Sequence, residues 1–125
     1  MVTEKICSEN APAAIGPYSQ GIRAGNLIFT SGQLPIDPVS GKFPEGGIAE
    51  QALQSILNVE AILKASGATL DDVVKTTCFL AEMADFAEFN RVYAQYFKNA
   101  PARSCFAVKA LPKDALCEIE AVACI

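Results

Sequence analysis

The side chains best suited to chemistry lie in the last quarter of the chain. Arg103 is one of only three arginines, and its guanidinium fork is able to hold a carboxylate or phosphate through two parallel hydrogen bonds. Glu118 and Glu120 stand two residues apart in a segment that alternates like a strand, so both carboxylates project from one face. Such carboxylates serve as a general acid, a general base or an orienter of water. The alternatives are a surface arginine or ion pair for Arg103 and a solvated strand face for the two glutamates.

The cysteines and the missing histidines limit the possible mechanisms. Cys105 follows Arg103 by two residues, and it is either a small apolar core residue or a nucleophile. The chain has no histidine, which excludes Ser-His-Asp and Cys-His catalysis and histidine-ligated zinc. The five cysteines include no C-x-x-C pair, which favours free thiols in a cytoplasmic setting. A net charge of −4 disfavours nucleic acid and membrane surfaces as partners, and no apolar run is long enough to span a membrane.

Two short glycine motifs are the remaining candidates for ligand contact. Segments 16–18 and 31–33 each place a polar side chain, Tyr18 or Ser31, within two residues of a glycine. Backbone N–H groups at such positions are able to approach an anion. Segments of this kind are more often plain turns.

The elements that must position these residues form a single predicted domain over residues 1–125, without repeats or a linker. Helical periodicity predicts one helix over 48–66, with Gly67 as the residue after its end. A second helix is predicted behind a capping box of Asp85 and Glu88 and is expected to end at Pro101; its aromatic stripe is typical of core packing. Gly25-Asn26 predicts a hairpin turn. Strands are predicted for a weak segment beginning at Ile6 and for 18–23, 27–31, 73–80, 103–108 and 116–124.

The predicted order, β-β-β-α-β-α-β-β, is typical of a two-layer α+β domain in which two helices cover one face of a mixed sheet. The other face alternates without becoming cleanly polar, which indicates that it meets another subunit. If the last two strands pair, Arg103 comes near a glutamate of its own or a neighbouring subunit.

Several motifs, in order and over nearly the whole chain, resemble those of the reactive intermediate deaminase A (RidA, YjgF) family. They are APAAIGPYSQ at 11–20, TSGQLP at 30–35, VKTT at 74–77, DF at 85–86 with Asn90 and Tyr93, PARS at 101–104, LPKD at 111–114 and IEA at 119–121.

The resemblance implies a chorismate-mutase-like fold and a homotrimer with three ligand clefts between subunits. It also implies 2-iminobutanoate/2-iminopropanoate deaminase activity. The substrates would be small carboxylate-bearing enamines and imines, such as 2-aminoacrylate, that pyridoxal-phosphate-dependent enzymes release, and the products would be 2-oxo acids and ammonia. The family needs no cofactor and no metal.

Site residues are carried over from the family motif by motif. The resemblance assigns carboxylate binding to Arg103 and the positioning of water to Glu118, whereas Cys105 contributes mainly backbone polar groups. The segment 97–101 is short beside many relatives, so the rim of the cleft differs there. Further positions that line or support the cleft are Tyr18, Ser31, Gly32, Phe89 and Asn90.

Two other classes of function stay open at this point. The same cleft would also suit a non-catalytic module that binds 2-oxo acids or amino acids. Relatives have further been described as translation inhibitors with ribonuclease activity or as chaperones, although the negative net charge and the missing histidines disfavour ribonuclease chemistry.

Overall fold

The computed structural model describes residues 2–125, which form six strands and two α-helices in the predicted order. Neither helix in this range combines the length and apolar character that crossing a membrane requires. The helices are α1 (Ile48–Ala65) and α2 (Phe86–Tyr96). The strands are β1 (Thr3–Ile6), β2 (Gly21–Ala24), β3 (Leu27–Thr30), β4 (Val73–Leu80), β5 (Ala102–Ala107) and β6 (Cys117–Cys124).

All six strands belong to one mixed sheet, in the order β1-β2-β3-β6-β4-β5. Strands β4 and β5 run parallel and are connected through α2, whereas every other neighbouring pair is antiparallel. The pairing of the last two strands, which would have brought Arg103 near a glutamate of its own subunit, is not found. Strand β4 lies between β5 and β6, and β6 occupies the centre of the sheet.

The two helices cover one face of this sheet. Ile56 and Val59 of α1 and Ile119 of β6 are fully buried, and α1 contacts β3, β6 and α2. Each apolar side chain of this size contributes about 1.5–3 kcal/mol when buried. The predicted α+β class, with two helices on one face of a mixed sheet, is confirmed. On the opposite face Phe29 and Phe106 remain 42% and 45% exposed, so the chain does not cover that face itself.

Several local predictions are confirmed by the backbone. The strand over 73–80 has the predicted bounds. Gly25 adopts a φ of +63° in the turn between β2 and β3, a conformation that glycine tolerates best. Helix α1 ends one residue before Ser66, and Gly67 follows with a φ of +81°, as expected for the residue after a helix.

The predicted first strand has the wrong bounds. Strand β1 ends at Ile6 instead of beginning there, and Ile6 pairs with Gly21 of β2. Beyond Ile6 the chain leaves the sheet, and its backbone forms hydrogen bonds with the Gln20 side chain instead of with a strand. Gln20 Oε1 accepts a hydrogen bond from Ser8 N at 2.6 Å, and Nε2 donates to Pro12 O at 2.7 Å.

The second helix begins directly after Asp85, as predicted, but its predicted capping box and its predicted end are wrong. Asp85 makes no capping hydrogen bond, because it already belongs to a 3₁₀ turn and has φ/ψ of −85°/−1°. An N-cap residue needs extended backbone to turn its side chain onto the first helical N–H groups. Glu88 instead accepts a hydrogen bond from Arg91 Nε at 2.9 Å. The helix ends at Tyr96, well before Pro101, and Ala100 continues the connection with a φ of +49°.

Candidate active site

Arg103 lies on β5 at the edge of the sheet, and its side chain faces α2. Its Nη1 donates a 2.7 Å hydrogen bond to Asn90 Oδ1. The guanidinium carbon lies 4.8 Å from the ring centroid of Tyr93 and 5.6 Å from that of Phe86. Cation–π contacts of this kind hold a guanidinium without neutralising it. Within residues 2–125 no carboxylate forms an ion pair with Arg103, so its charge is available to an anion.

Tyr93 is held in turn by a buried contact with the sheet. Its hydroxyl shares a 2.7 Å hydrogen bond with Oγ1 of Thr76, the β4 residue paired with Arg103. Burial raises the pKa of Tyr93, which keeps the phenol neutral beside the arginine. Phe89 is fully buried behind this group, with its ring centroid 6.0 Å from that of Tyr93, so it supports the site without lining it.

The part played by Tyr93 was missed at the sequence level, where its aromatic stripe was assigned to core packing. Phe86, Asn90 and Tyr93 follow one another at intervals of four and three residues on α2. That spacing places all three on one face of a helix, so it carried the signal. What it did not reveal was that this face meets the arginine of β5.

A surface cavity of about 350 Å³ opens beside this group. It is lined by Asn90, Tyr93 and Arg103 together with Phe97 and Pro101. The segment 97–101, whose shortness is expected to reshape the cleft rim, therefore lines the space in front of the guanidinium.

Cys105 lies two residues beyond Arg103 on the same face of β5, directly beside Cys78 of β4. Hydrogen bonding with Cys78 and, to a lesser extent, the positive charge of Arg103 lower the pKa of the Cys105 thiol to about 7. The side chain is partly buried, and its partner Cys78 is fully buried.

Glu118 belongs to a second group of residues, around β6 and the segment after β3. A Cβ atom at position 32 would overlap Oε2 of Glu118, so the carboxylate rests against the bare backbone of Gly32. Reciprocal backbone hydrogen bonds between Gln33 and Ile119, of 2.7 and 3.2 Å, hold that backbone in place. A side chain at position 32 would therefore displace the Glu118 carboxylate, and glycine leaves room for it.

The electrostatic surroundings of Glu118 favour a carboxylate that accepts protons readily. Partial burial and, secondarily, the charge of Glu120 raise the pKa of Glu118 above its ordinary value. Within residues 2–125 neither lysine nor arginine forms an ion pair with it. A carboxylate of raised pKa and without a cationic partner is suited to taking and returning a proton.

Tyr18 and Ser31 lie close to Gly32 and belong to this second group. Tyr18 and Gly32 line a cavity of about 390 Å³, which Leu34 and Lys113 also border. The Ser31 hydroxyl donates a 2.6 Å hydrogen bond to Ser19 O, so it ties the two flanking segments together.

The structure therefore divides the predicted site residues into two groups. Arg103, Cys105 and Asn90 lie on the helix-covered side, whereas Glu118 and its neighbours lie on the open side. The strand register shows this division. Arg103 pairs with buried Thr76 of β4, and Glu118 pairs with Phe79 of the same strand. Thr76 and Phe79 are separated by an odd number of positions, so their side chains, and those of their partners, lie on opposite faces. Neighbouring residues of a strand point to opposite faces. One copy of the chain does not bring Arg103 and Glu118 together.

A further cavity, of about 560 Å³, lies between residues 7–10 and α1 and contains none of these site residues. In the part of the chain that the structure describes, no three histidine, cysteine, aspartate or glutamate side chains are grouped to hold a metal ion.

Comparison with known proteins places this geometry in context. The family model described as Endoribonuclease L-PSP matches residues 8–125. A RutC family protein of Pyrococcus horikoshii is 53% identical over 121 residues, which cover 96% of each chain. The 2-iminobutanoate/2-iminopropanoate deaminase of Escherichia coli K12 is 51% identical over 126 residues, which cover 98% of each chain.

Solved structures agree with the sequence matches. The YjgF gene product of E. coli superposes with a TM-score of 0.93 at 49% identity, covering 97% of this chain and 98% of its own. E. coli TdcF with bound serine gives a TM-score of 0.93 at 44% identity and covers 98% of both chains. The two helices and the mixed sheet of six strands are thus shared with these neighbours. On all of these grounds, the chain belongs to the RidA/YjgF family.

Proposed function

We propose that this protein is a 2-iminobutanoate/2-iminopropanoate deaminase, which hydrolyses 2-aminoacrylate and similar enamine or imine acids to 2-oxo acids and ammonia. The observation that carries the proposal is the guanidinium of Arg103. It is fixed by Asn90 and Tyr93, lacks an acidic partner within residues 2–125 and lines a small cavity. Such a group selects small ligands that bear a carboxylate. E. coli TdcF, whose structure contains bound serine, provides a relative that holds a ligand of this kind.

The proposed mechanism uses one residue from each group. Arg103 binds the substrate carboxylate and so fixes the position of the imine carbon. An enamine substrate reacts as its imine tautomer. Glu118 accepts a proton from water as the water oxygen bonds to the imine carbon, and the C=N double bond becomes a single bond. Glu118 returns that proton to the nitrogen, which gives a carbinolamine. It then takes the carbinolamine hydroxyl proton and passes it to the nitrogen as the C=O bond forms and the C–N bond breaks, so that ammonia and the 2-oxo acid leave. The raised pKa of Glu118 suits a carboxyl that must both take and give a proton.

This mechanism requires more than one copy of the chain, because Arg103 and Glu118 of one copy face opposite sides of the sheet. We extend the proposal to a homotrimer in which Glu118 of one subunit approaches Arg103 of the next. The partly exposed Phe29 and Phe106 on the uncovered face support burial of that face between subunits.

The activity is tested with freshly generated 2-aminoacrylate. A pyridoxal-phosphate-dependent dehydratase acting on serine supplies the substrate, and the release of 2-oxo acid is followed with and without this protein. We expect release to be faster with the protein, in proportion to its concentration. Release at the uncatalysed rate over a range of protein concentrations would refute the proposal.

The proposed assembly predicts the mass of the native particle. Native mass spectrometry and sedimentation are expected to give three times the chain mass of 13.2 kDa, because only an oligomer completes the cleft. An active monomer would contradict this arrangement even if the deaminase activity itself were found.

Cys105 and metal ions provide another test of the mechanism. If Cys105 contributes through its backbone, Cys105→Ala is expected to keep much of the activity, and a metal chelator is expected to have no effect. The measurement is 2-oxo acid release together with ligand binding. Loss of turnover with binding intact would assign a role to the thiol, and loss on chelation that zinc reverses would require a metal.

The serine bound to one relative and the description of the family support two other candidate functions. Serine bound to TdcF is also compatible with a module that binds ligands without turnover, and the family description names an endoribonuclease. Binding of serine without accelerated 2-oxo acid release would favour the first. Cleavage of RNA that weakens steeply with salt would favour the second, although the net charge of −4 opposes it.

A further inference from the structure

Cys78 and Cys105 lie side by side on the parallel strands β4 and β5. They are paired directly in register, and the neighbouring pair of Thr76 with Arg103 lies on the same, helix-covered face. Neighbouring strands run about 4.8 Å apart, which falls within the Cα separation of about 4.4–6.8 Å that disulfides span. The backbone separation at this pair therefore permits a disulfide.

The two thiols differ in access and in protonation. Cys78 is fully buried, whereas Cys105 is partly exposed on the edge strand. Hydrogen bonding with Cys78 lowers the pKa of Cys105, and the charge of Arg103 adds to this effect. The same contact, together with burial, raises the pKa of Cys78. An oxidant from solvent therefore meets a thiolate at Cys105, with a protonated thiol directly behind it.

The other cysteines lack this arrangement. Cys117 is buried beside the Ser55 hydroxyl, with its sulfur 3.7 Å from the hydroxyl oxygen, and burial raises its pKa to about 12. Cys7 and Cys124 are exposed, and no thiol in residues 2–125 is paired with either across the sheet. A reaction that needs a reachable thiolate and an adjacent second thiol is thus confined to one pair.

We propose that Cys105 and Cys78 form a peroxide-sensitive dithiol, in which Cys105 is oxidised first and Cys78 then closes a disulfide between β5 and β4. The Cys105 thiolate attacks hydrogen peroxide. An S–O bond forms, the O–O bond breaks, and the departing hydroxide takes a proton to become water. The sulfur of Cys78 then attacks the sulfenic acid: an S–S bond forms, the S–O bond breaks, and the Cys78 proton leaves with the hydroxide as a second water. Two thiols are oxidised and one peroxide is reduced.

The test uses a Cys7→Ser/Cys124→Ser background, which removes the exposed thiols that cross-link separate chains. After treatment with hydrogen peroxide and alkylation of the remaining thiols, trypsin places Cys78, Cys105 and Cys117 in separate peptides, 76–91, 104–109 and 114–125. We expect 76–91 linked to 104–109, with the mass of two hydrogen atoms lost, and 114–125 alkylated. Dithiothreitol is expected to reverse the link.

Matched variants decide the order of events. In the same background, Cys78→Val is expected to stop at a Cys105 sulfenic acid that dimedone traps, whereas Cys117→Val is expected to form the link as before. The proposal would be overturned if, in the Cys7→Ser/Cys124→Ser background itself, Cys105 were oxidised while Cys78 remained free to be alkylated. This result does not depend on any further substitution. A link between 104–109 and 114–125 of equal abundance would overturn it as well.

The disulfide also has an expected effect on the candidate site, which rests on the proposed function. Because Cys105 shares its strand face with Arg103, oxidation of the parent is expected to lower 2-oxo acid release, and reduction is expected to restore it. The peptide map decides the dithiol independently of activity, so failure of the deaminase proposal and failure of the dithiol proposal give different results.

Discussion

Replacing Arg103 with alanine is expected to reduce 2-oxo acid release from 2-aminoacrylate by roughly 30- to 1000-fold. This corresponds to the loss of a charged hydrogen-bond partner in a partly desolvated cleft, at a cost on the order of 2–4 kcal/mol. The substrate offers few groups to hold, and its carboxylate is the strongest of them. Arg103 has no acidic partner in residues 2–125, so its removal does not deprive a carboxylate of its counter-charge. The fold of Arg103→Ala is therefore expected to persist.

The matched control for this substitution is Arg91→Ala. Arg91 is exposed on α2, where it pairs with Glu88, and it does not line the cavity, so the variant removes the same charge outside the candidate site. It is expected to keep its activity. Arg103→Lys is expected to recover only part of the loss, because an ammonium lacks the fork that binds both carboxylate oxygens. Near-normal activity of Arg103→Ala, with circular dichroism and native mass unchanged, would place the carboxylate clamp elsewhere and end the deaminase assignment of this cleft.

Replacing Glu118 with glutamine is expected to lower kcat far more than it raises KM. Glutamine keeps the size and hydrogen-bonding capacity of the side chain but does not exchange the proton, and general acid–base catalysis is typically worth on the order of 10²- to 10⁴-fold. Glu120→Gln is the matched control, because Glu120 is exposed on the same strand face. Equal losses of kcat in the two variants would show that strand position alone does not distinguish their roles.

Glu118→Gln is also expected to stabilise the fold at neutral pH. Because burial raises the pKa of Glu118 in the folded chain, the folded state loses stability relative to the unfolded state as pH rises from the ordinary value of 4.5 through the raised one. Glu118→Gln does not show this loss, because glutamine does not ionise. Thermal unfolding is therefore expected to show a higher Tm for Glu118→Gln at neutral pH and no advantage below pH 4.5. A lower Tm at neutral pH would mean that a cation of the assembled cleft, Arg103 of the next subunit, stabilises the carboxylate by more than burial destabilises it.

The sequence predicted the elements better than their arrangement. A segment rich in Val and Thr identified β4, and Gly67 marked the end of α1, because these signals act within a few residues. The position of β4 between β5 and β6 was not predictable, since alternation assigns a side chain to a face but not a strand to a neighbour. Nor did any local pattern reveal that Arg103 and Glu118 face opposite sides, because that relation depends on register across two strand pairs.

The predicted capping box of α2 failed because neighbouring residues fixed both of its members in other roles. Asp85 and Glu88 fit the spacing of a capping box, yet the preceding 3₁₀ turn fixed the backbone of Asp85, and Arg91 captured Glu88. At the site, motif resemblance named Arg103 and Asn90, and the structure brings them into a hydrogen bond. The catalytic roles of Arg103 and Glu118 stay predictions that the variants above decide.

The central place of β6 has a consequence for the order of events in folding. Strands β1–β3 and the pair β4–β5 are joined within the sheet only through β6, whose Cys124 pairs with Leu27 at the far end of the chain. Closing a loop of that length costs entropy before the contacts it creates compensate for it. The two partial sheets therefore expose unpaired edges of β3 and β4 until β6, which follows the other five strands along the chain, inserts between them. A nascent chain that pauses before β6 presents those edges to other strands, and this interval is the one in which misassembly competes with folding.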